Sequence, residues 1–119
     1  MNTAQEVVDE LEAYYGEISN KFDSDNPTEL ITKLERRCQL LARSAVLLAD
    51  AQFIHDRARG DASEKATELS ATELREYLTG KCAYEARLLK LADRLNSTIV
   101  HQIDSIRTMI SYTKMVMNQ

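Results

Sequence analysis

Apolar residues at the start of the chain recur at steps of three and four, which places them on one side of a helix. The acidic residues of this stretch, such as Glu6, Asp9 and Glu10, fall between them. Acidic side chains near a helix N-terminus also suit the positive end of the helix dipole. The pattern predicts an amphipathic helix over about residues 3–22, and its apolar positions are Val7, Leu11, Tyr14, Tyr15, Ile18 and Phe22.

A strong helix start follows at Asn26. Asn26 suits the N-cap and Pro27 suits the first helical position, while Glu29 stands where an acid can reach back to the cap. No breaker then occurs before Gly60, which suits a left-handed helix stop. We therefore predict a helix over residues 27–59, which is long for a chain of 119 residues.

This second helix carries apolar residues around most of its circumference. One line, Leu40, Leu47 and Ile54, repeats every seven residues. A helix of this kind must be covered on several sides, either at the centre of a bundle or by another copy of the chain. We assign the Leu40, Leu47 and Ile54 line to contacts between copies, and we add Val100 of the last helix as a further surface residue. The other line is an unbroken a/d seam that turns polar at its end, and it is formed by Ile31, Leu34, Cys38, Leu41, Ala45, Leu48, Gln52 and His55.

Two further helical stretches complete the prediction. Ser70 and Glu73 have capping-box spacing inside a helical region at about residues 63–80. A regular apolar stripe then covers residues 81–117, and Gly80 either separates the two stretches or only weakens one continuous helix. Two long helices joined by a short excursion favour an all-α, elongated antiparallel bundle of three or four helices, in which the long pair forms a coiled-coil-like hairpin.

Composition supports this class and limits the size of the core. Ala, Glu, Lys, Leu and Arg make up about 45% of the chain, close to the share typical of long helices and coiled coils. With 3 Gly and 1 Pro there are too few turn residues for a β-sandwich or an α/β sheet. The length fits a single helical domain over residues 1–119. Because a rod has more surface for its volume than a sphere, we expect a homo-oligomer, with a dimer favoured.

The distribution of charge along the chain suggests one alternative function. The net charge of −4 argues against broad binding of nucleic acid, since that binding needs clustered Lys and Arg. Arg87, Lys90 and Arg94 nevertheless form a basic strip on the last helix, which could contact phosphates. The alternative hypothesis is thus a nucleic-acid-associated accessory protein that uses such strips.

Candidate chemistry is sparse. Cys38 and Cys82 are isolated and are expected to be small buried hydrophobic residues in a reduced chain. His55 and His101 lack the Glu-x-x-His spacing of di-iron bundles. We therefore expect no cofactor, no metal site and no enzyme, and a small all-α enzyme with carboxylate-bound metal is the third hypothesis. The acidic start of the chain and the lack of a long apolar run predict a cytoplasmic protein without a membrane segment.

The stretch Leu95-Asn96-Ser97-Thr98-Ile99-Val100-His101-Gln102-Ile103-Asp104-Ser105-Ile106-Arg107 resembles the final helix of small predicted coiled-coil proteins of bacteriophages and prophages. The resemblance covers less than half of the chain and includes no catalytic motif. It implies a gene of mobile-element origin with an accessory role. Together with the apolar seams, it leads us to expect a non-enzymatic, self-associating helical protein that binds an unidentified protein partner.

Overall fold

The computed structural model describes residues 1–20 and 26–118, and these residues form four helices without a strand. The molecule is extended, with dimensions of 72 × 25 × 18 Å. The predicted all-α, elongated bundle is therefore confirmed. In chain order the helices are α1, Ala4–Ile18; α2, Pro27–Glu64; α3, Ala71–Lys81; and α4, Ala83–Met117.

Side-chain caps fix the starts of the first three helices. At α1, the Thr3 hydroxyl accepts a hydrogen bond from the Glu6 amide, and the Glu6 side chain accepts one from the Thr3 amide. At α2, the Asn26 side chain accepts from two amides of the first turn, and Pro27 occupies the start as predicted. At α3, the Ser70 hydroxyl accepts from the Glu73 amide. Such caps satisfy amides that have no partner inside the helix.

The structure changes two predicted helix ends and decides the open question at Gly80. The helix α2 does not stop at Gly60 but continues to Glu64. The φ angle of Gly60 is not positive. A left-handed stop requires that angle, and Gly60 is an ordinary exposed position within the helix. The break before α4 lies at Cys82, whose φ of −104° and ψ of 21° depart from helical values, and not at Gly80. The first helix also ends earlier than predicted, at Ile18, and Phe22 lies outside the described residues.

The main core lies between α2 and α4, and α1 covers one side of it. The two long helices run antiparallel, since the earlier residue Arg37 meets the later Gln102 while Ser44 meets Asn96. The core residues of α2 lie between Leu40 and Ala51, and those of α4 lie between Leu88 and Ile103. Its buried apolar residues are Val7, Leu11, Ile18, Leu40, Leu47, Ala51, Leu88, Ala92, Leu95, Ile99 and Ile103.

The line of α2 that faces the core is not the predicted a/d seam. Residues of that seam, such as Ile31, Cys38 and Ala45, are exposed, and others are only partly buried. The buried line also follows heptad spacing, but it contains two polar residues that interrupt its apolar pattern. This inner seam consists of Leu30, Arg37, Leu40, Ser44, Leu47 and Ala51.

Hydrogen bonds of the polar members of the inner seam fix its register, although Arg37 Nη2 is buried without a hydrogen-bond partner among the described residues. Arg37 is 2% exposed, and its Nε donates to Gln102 Oε1 at 2.7 Å. Gln102 Nε2 in turn donates to the Ile18 carbonyl at 3.0 Å, which ties α1 to the same layer. Burial lowers the pKa of the Arg37 guanidinium. Since these bonds are lost when the helices slide by one turn, they favour a single alignment of α1, α2 and α4.

A second, smaller cluster lies at the other end of the molecule. Ala62, Leu78 and Cys82 are buried together, and they join the end of α2 to α3 and to the start of α4. The expectation of two buried cysteines is therefore correct for Cys82 and wrong for Cys38, which is exposed on α2.

Candidate interaction surfaces

The side of α2 opposite the inner seam is apolar and open to solvent. Ile31, Val46 and Phe53 are 43%, 45% and 48% exposed, and exposed residues with small side chains lie between them. A rotation of about 100° per residue brings all of these positions to one side of the helix. We call this surface the outer face of α2, and it comprises Ile31, Cys38, Ala42, Ala45, Val46, Ala49 and Phe53.

Charged residues stand near each end of the outer face. Glu35 lies toward its N-terminal end and Arg57 follows its C-terminal end, and both are exposed. Within the described residues, neither side chain belongs to an ion pair. The Asp56 carboxylate, by contrast, accepts a hydrogen bond from Gln52 Nε2 at 2.9 Å. The apolar surface thus has an acid, Glu35, toward its N-terminal end, and both an acid, Asp56, and a base, Arg57, at its C-terminal end.

Two other arginines of α2, Arg36 and Arg43, form ion pairs with acidic residues of α1. Arg36 Nε lies 3.0 Å from Glu17 Oε2, and Arg43 binds Glu10 through two nitrogen atoms. The hydrogen bond from Arg43 lowers the pKa of Glu10, and the hydrogen bond to Glu17 raises the pKa of Arg36. These pairs attach the acidic first helix to the long helix beside it.

The burial of Leu40, Leu47 and Ile54 shows that this line does not form the expected open surface for contacts between copies. Leu40 is 1% exposed and Leu47 is fully buried, and both belong to the main core. Ile54 is partly buried against that core, so it cannot form an open seam either. A second copy could reach Leu40 and Leu47 only if the bundle opened. Val100 is 38% exposed, which leaves it accessible on α4.

The basic strip of α4 is exposed as the sequence predicts. Arg87, Lys90 and Arg94 all face solvent. Beside Arg94, an open groove of about 470 Å³ is lined on its α1 side by Tyr15, whose hydroxyl donates to the Leu91 carbonyl at 2.9 Å. Burial raises the pKa of Tyr15. The groove also contains an acid, Asp93, so its charge is mixed.

The two histidines lie in different grooves. His101 lines the groove beside Tyr15, whereas His55 lines a groove of about 480 Å³ between α2 and α4. His55 Nδ1 is 3.6 Å from the Asp56 carboxylate and has no hydrogen-bond partner among the described residues. In the part of the chain covered by the structure, no group of three His, Cys, Asp or Glu side chains is placed to hold a metal ion.

No helix among the described residues has the length and apolar content needed to cross a membrane. Comparisons of the chain with known protein families, with curated proteins and with solved structures give no match. The arguments about function therefore depend on the surfaces described above.

Proposed function

We propose that the protein is a non-enzymatic helical interaction module that self-associates, with a dimer favoured, through the outer face of α2. The observation that carries this proposal is the exposure of Ile31, Val46 and Phe53 on one continuous side of the longest helix. Large apolar side chains gathered on one side of a helix are typical of a surface that binds another helix. An accessory role of the kind found among phage coiled-coil proteins is part of the same proposal.

The accessible surface of the chain supports a need for a partner. Monomers of 13.5 kDa have an accessible surface of about 6,500 Å² by the scaling of globular proteins. This chain exposes 7945 Å². The excess is larger than the roughly 800 Å² that each partner contributes to a standard interface. One standard interface would therefore remove about half of this excess.

Sedimentation equilibrium over a range of concentrations tests the proposal. We expect the mass to rise toward twice 13.5 kDa as the concentration increases. Phe53→Glu should shift the equilibrium toward the monomer, because a charge on the outer face must be desolvated on association. The matched control is Tyr84→Glu, which places the same charge at an exposed aromatic residue of α4. A monomer at every concentration would contradict the proposal, and equal effects of the two variants would exclude the outer face.

A second candidate function uses the basic strip. Arg87, Lys90 and Arg94 are exposed on successive turns of α4, an arrangement able to contact phosphates. This function predicts retention of the protein on mixed DNA and RNA at low salt, with loss at moderate salt. Replacing all three residues with Gln should then abolish retention. Absence of retention at low salt would remove this candidate.

A further inference from the structure

Arg37 is a buried cation that has no acidic partner within ion-pair distance among the described residues. Its Nε donates to Gln102, but its Nη2 is buried and has no acceptor in the part of the chain that the structure describes. A guanidinium stays charged in proteins, and a charge taken out of water is unfavourable unless it is paired. Arg37 therefore carries both a charge and N–H groups that remain to be satisfied.

The same residue lines a groove between the end of α1 and the start of α2, which we call the Arg37 groove. Its volume of about 260 Å³ is below the range of about 300–1,000 Å³ that is typical of sites for drug-sized ligands. Lys33 and Arg36 line the groove as well, together with the acids Glu17 and Glu29. The size of the groove therefore suits a small ligand, and its charges decide which kind.

The charges that line the Arg37 groove leave one cation in excess, and that cation is Arg37. Arg36 Nε lies 3.0 Å from Glu17 Oε2, so these two charges compensate each other. Lys33 follows Glu29 by four residues on the same helix, a spacing at which opposite charges offset each other. The end of α1 and the start of α2 contribute opposite ends of two helix dipoles, which also offset each other. The groove is thus a small positive site whose surplus charge is buried.

We propose that the Arg37 groove binds a small oxyanion, of the phosphate or carboxylate class, that pairs with the Arg37 guanidinium. The planar fork of a guanidinium matches two oxygen atoms of such an anion, and these charge-assisted hydrogen bonds are stronger than neutral ones. Because Gln102 holds Nε, the fork is oriented before the anion binds, and little side-chain entropy is lost. The groove is separate from the outer face of α2, so this proposal does not depend on self-association.

Thermal unfolding of dilute protein in phosphate, and in sodium chloride of equal ionic strength, tests the proposal. Because a ligand that binds only the folded state raises Tm, the parent should gain about 5 °C when phosphate is at about ten times its dissociation constant. Phosphate also stabilises folded proteins in general, because it is excluded from their surface. Arg37→Met measures that general effect, since it removes the fork and retains most of the apolar stem. Arg75→Met, at an exposed arginine of α3, is the matched control and should keep the gain of the parent.

Replacing phosphate with acetate distinguishes the two classes of anion. The anion that produces the gain in Tm at the lower concentration identifies the class that the groove prefers. Lys33→Gln should raise the concentration of that anion needed for the same gain by about threefold, as expected for the loss of one partly exposed charge.

The Nε–Hε signal of Arg37 in proton–nitrogen NMR spectra gives a direct readout on the parent protein, and Arg37→Met assigns it. We expect this signal to shift in a saturable way as phosphate or acetate is added. The absence of a saturable shift with both anions would overturn the proposal, even if Tm rises. Equal gains in Tm for the parent and Arg37→Met would also contradict it, because the stabilisation would then come from exclusion alone.

Discussion

Leu47 and Val46 are neighbours on α2, yet Leu47 is fully buried while Val46 is 45% exposed. The inner seam that contains Leu47 mixes large apolar residues with Arg37 and Ser44, and Arg37 Nε and the Ser44 hydroxyl have specific partners on α4. The outer face that contains Val46 has no polar residue with such a partner. The comparison shows that the inner seam is specified by hydrogen bonds as well as by packing. The outer face has exposed apolar side chains, and no hydrogen bond of this kind selects an alignment on it.

The largest expected effect is the difference in the free energy of unfolding between variants at Leu47 and at Val46. Leu47→Ala should lower the free energy of unfolding by about 2–5 kcal/mol, because it removes buried side-chain atoms and leaves a cavity in the core. Val46→Ala should change it by less than about 0.5 kcal/mol, as is usual for a surface position. Urea unfolding monitored by circular dichroism measures both values, at a concentration low enough to keep the chain monomeric.

Similar losses from the two variants would contradict the assignment of the inner and outer sides of α2. A loss larger at Val46 than at Leu47 would show that the helix is rotated relative to the described arrangement. Val46 would then belong to the core and Leu47 to the exposed side of α2.

The next effect concerns the polar layer of the inner seam. Gln102→Leu should cost about 1–3 kcal/mol, because the Arg37 Nε would lose its acceptor while it stays buried. Arg37→Met should be neutral or stabilising, since it retains most of the apolar stem and removes a buried charge. In the double variant, Gln102→Leu should therefore cost less than it does alone, and the difference measures the coupling of the two residues.

Urea unfolding of the four proteins in this cycle gives the coupling energy. Additive effects would mean that Arg37 does not depend on Gln102. Size-exclusion chromatography of the Arg37→Met variant adds a check on alignment, because a bundle without the polar layer has less to prevent its helices from sliding by one turn.

The sequence predicted the helices better than it predicted their rotation. Caps at Asn26 and Ser70 depend on local spacing, so they were found correctly. The rotation of α2 was wrong because two lines of the helix both have heptad spacing, and the line interrupted by Arg37 and Ser44 was the weaker by hydrophobicity alone. What decides between them is the match of these residues to Gln102 and Asn96. That match depends on the alignment of two distant segments, which local periodicity does not contain.

The outer face could be predicted only in part for the same reason. Val46 and Phe53 are seven residues apart, so heptad spacing alone places them on one line of α2. Assigning Leu40 and Leu47 to the inside left these residues uncovered, and that assignment required the structure. The basic strip of α4 was predictable, since Arg87, Lys90 and Arg94 lie opposite a clear apolar stripe.

The smallest expected effect concerns the continuity of α2 where the sequence suggested a stop. Gly60→Ala should raise the free energy of unfolding by about 0.5–1 kcal/mol, because alanine is the better helix former and restricts the unfolded chain. A Cβ atom at this position would meet nothing within 4 Å. Gly16→Ala on α1 is the matched control, since it is also a helical glycine with open space and should give a similar gain. Thermal unfolding of dilute protein measures both, and a loss of stability confined to Gly60→Ala would mean that α2 ends there in a left-handed turn after all.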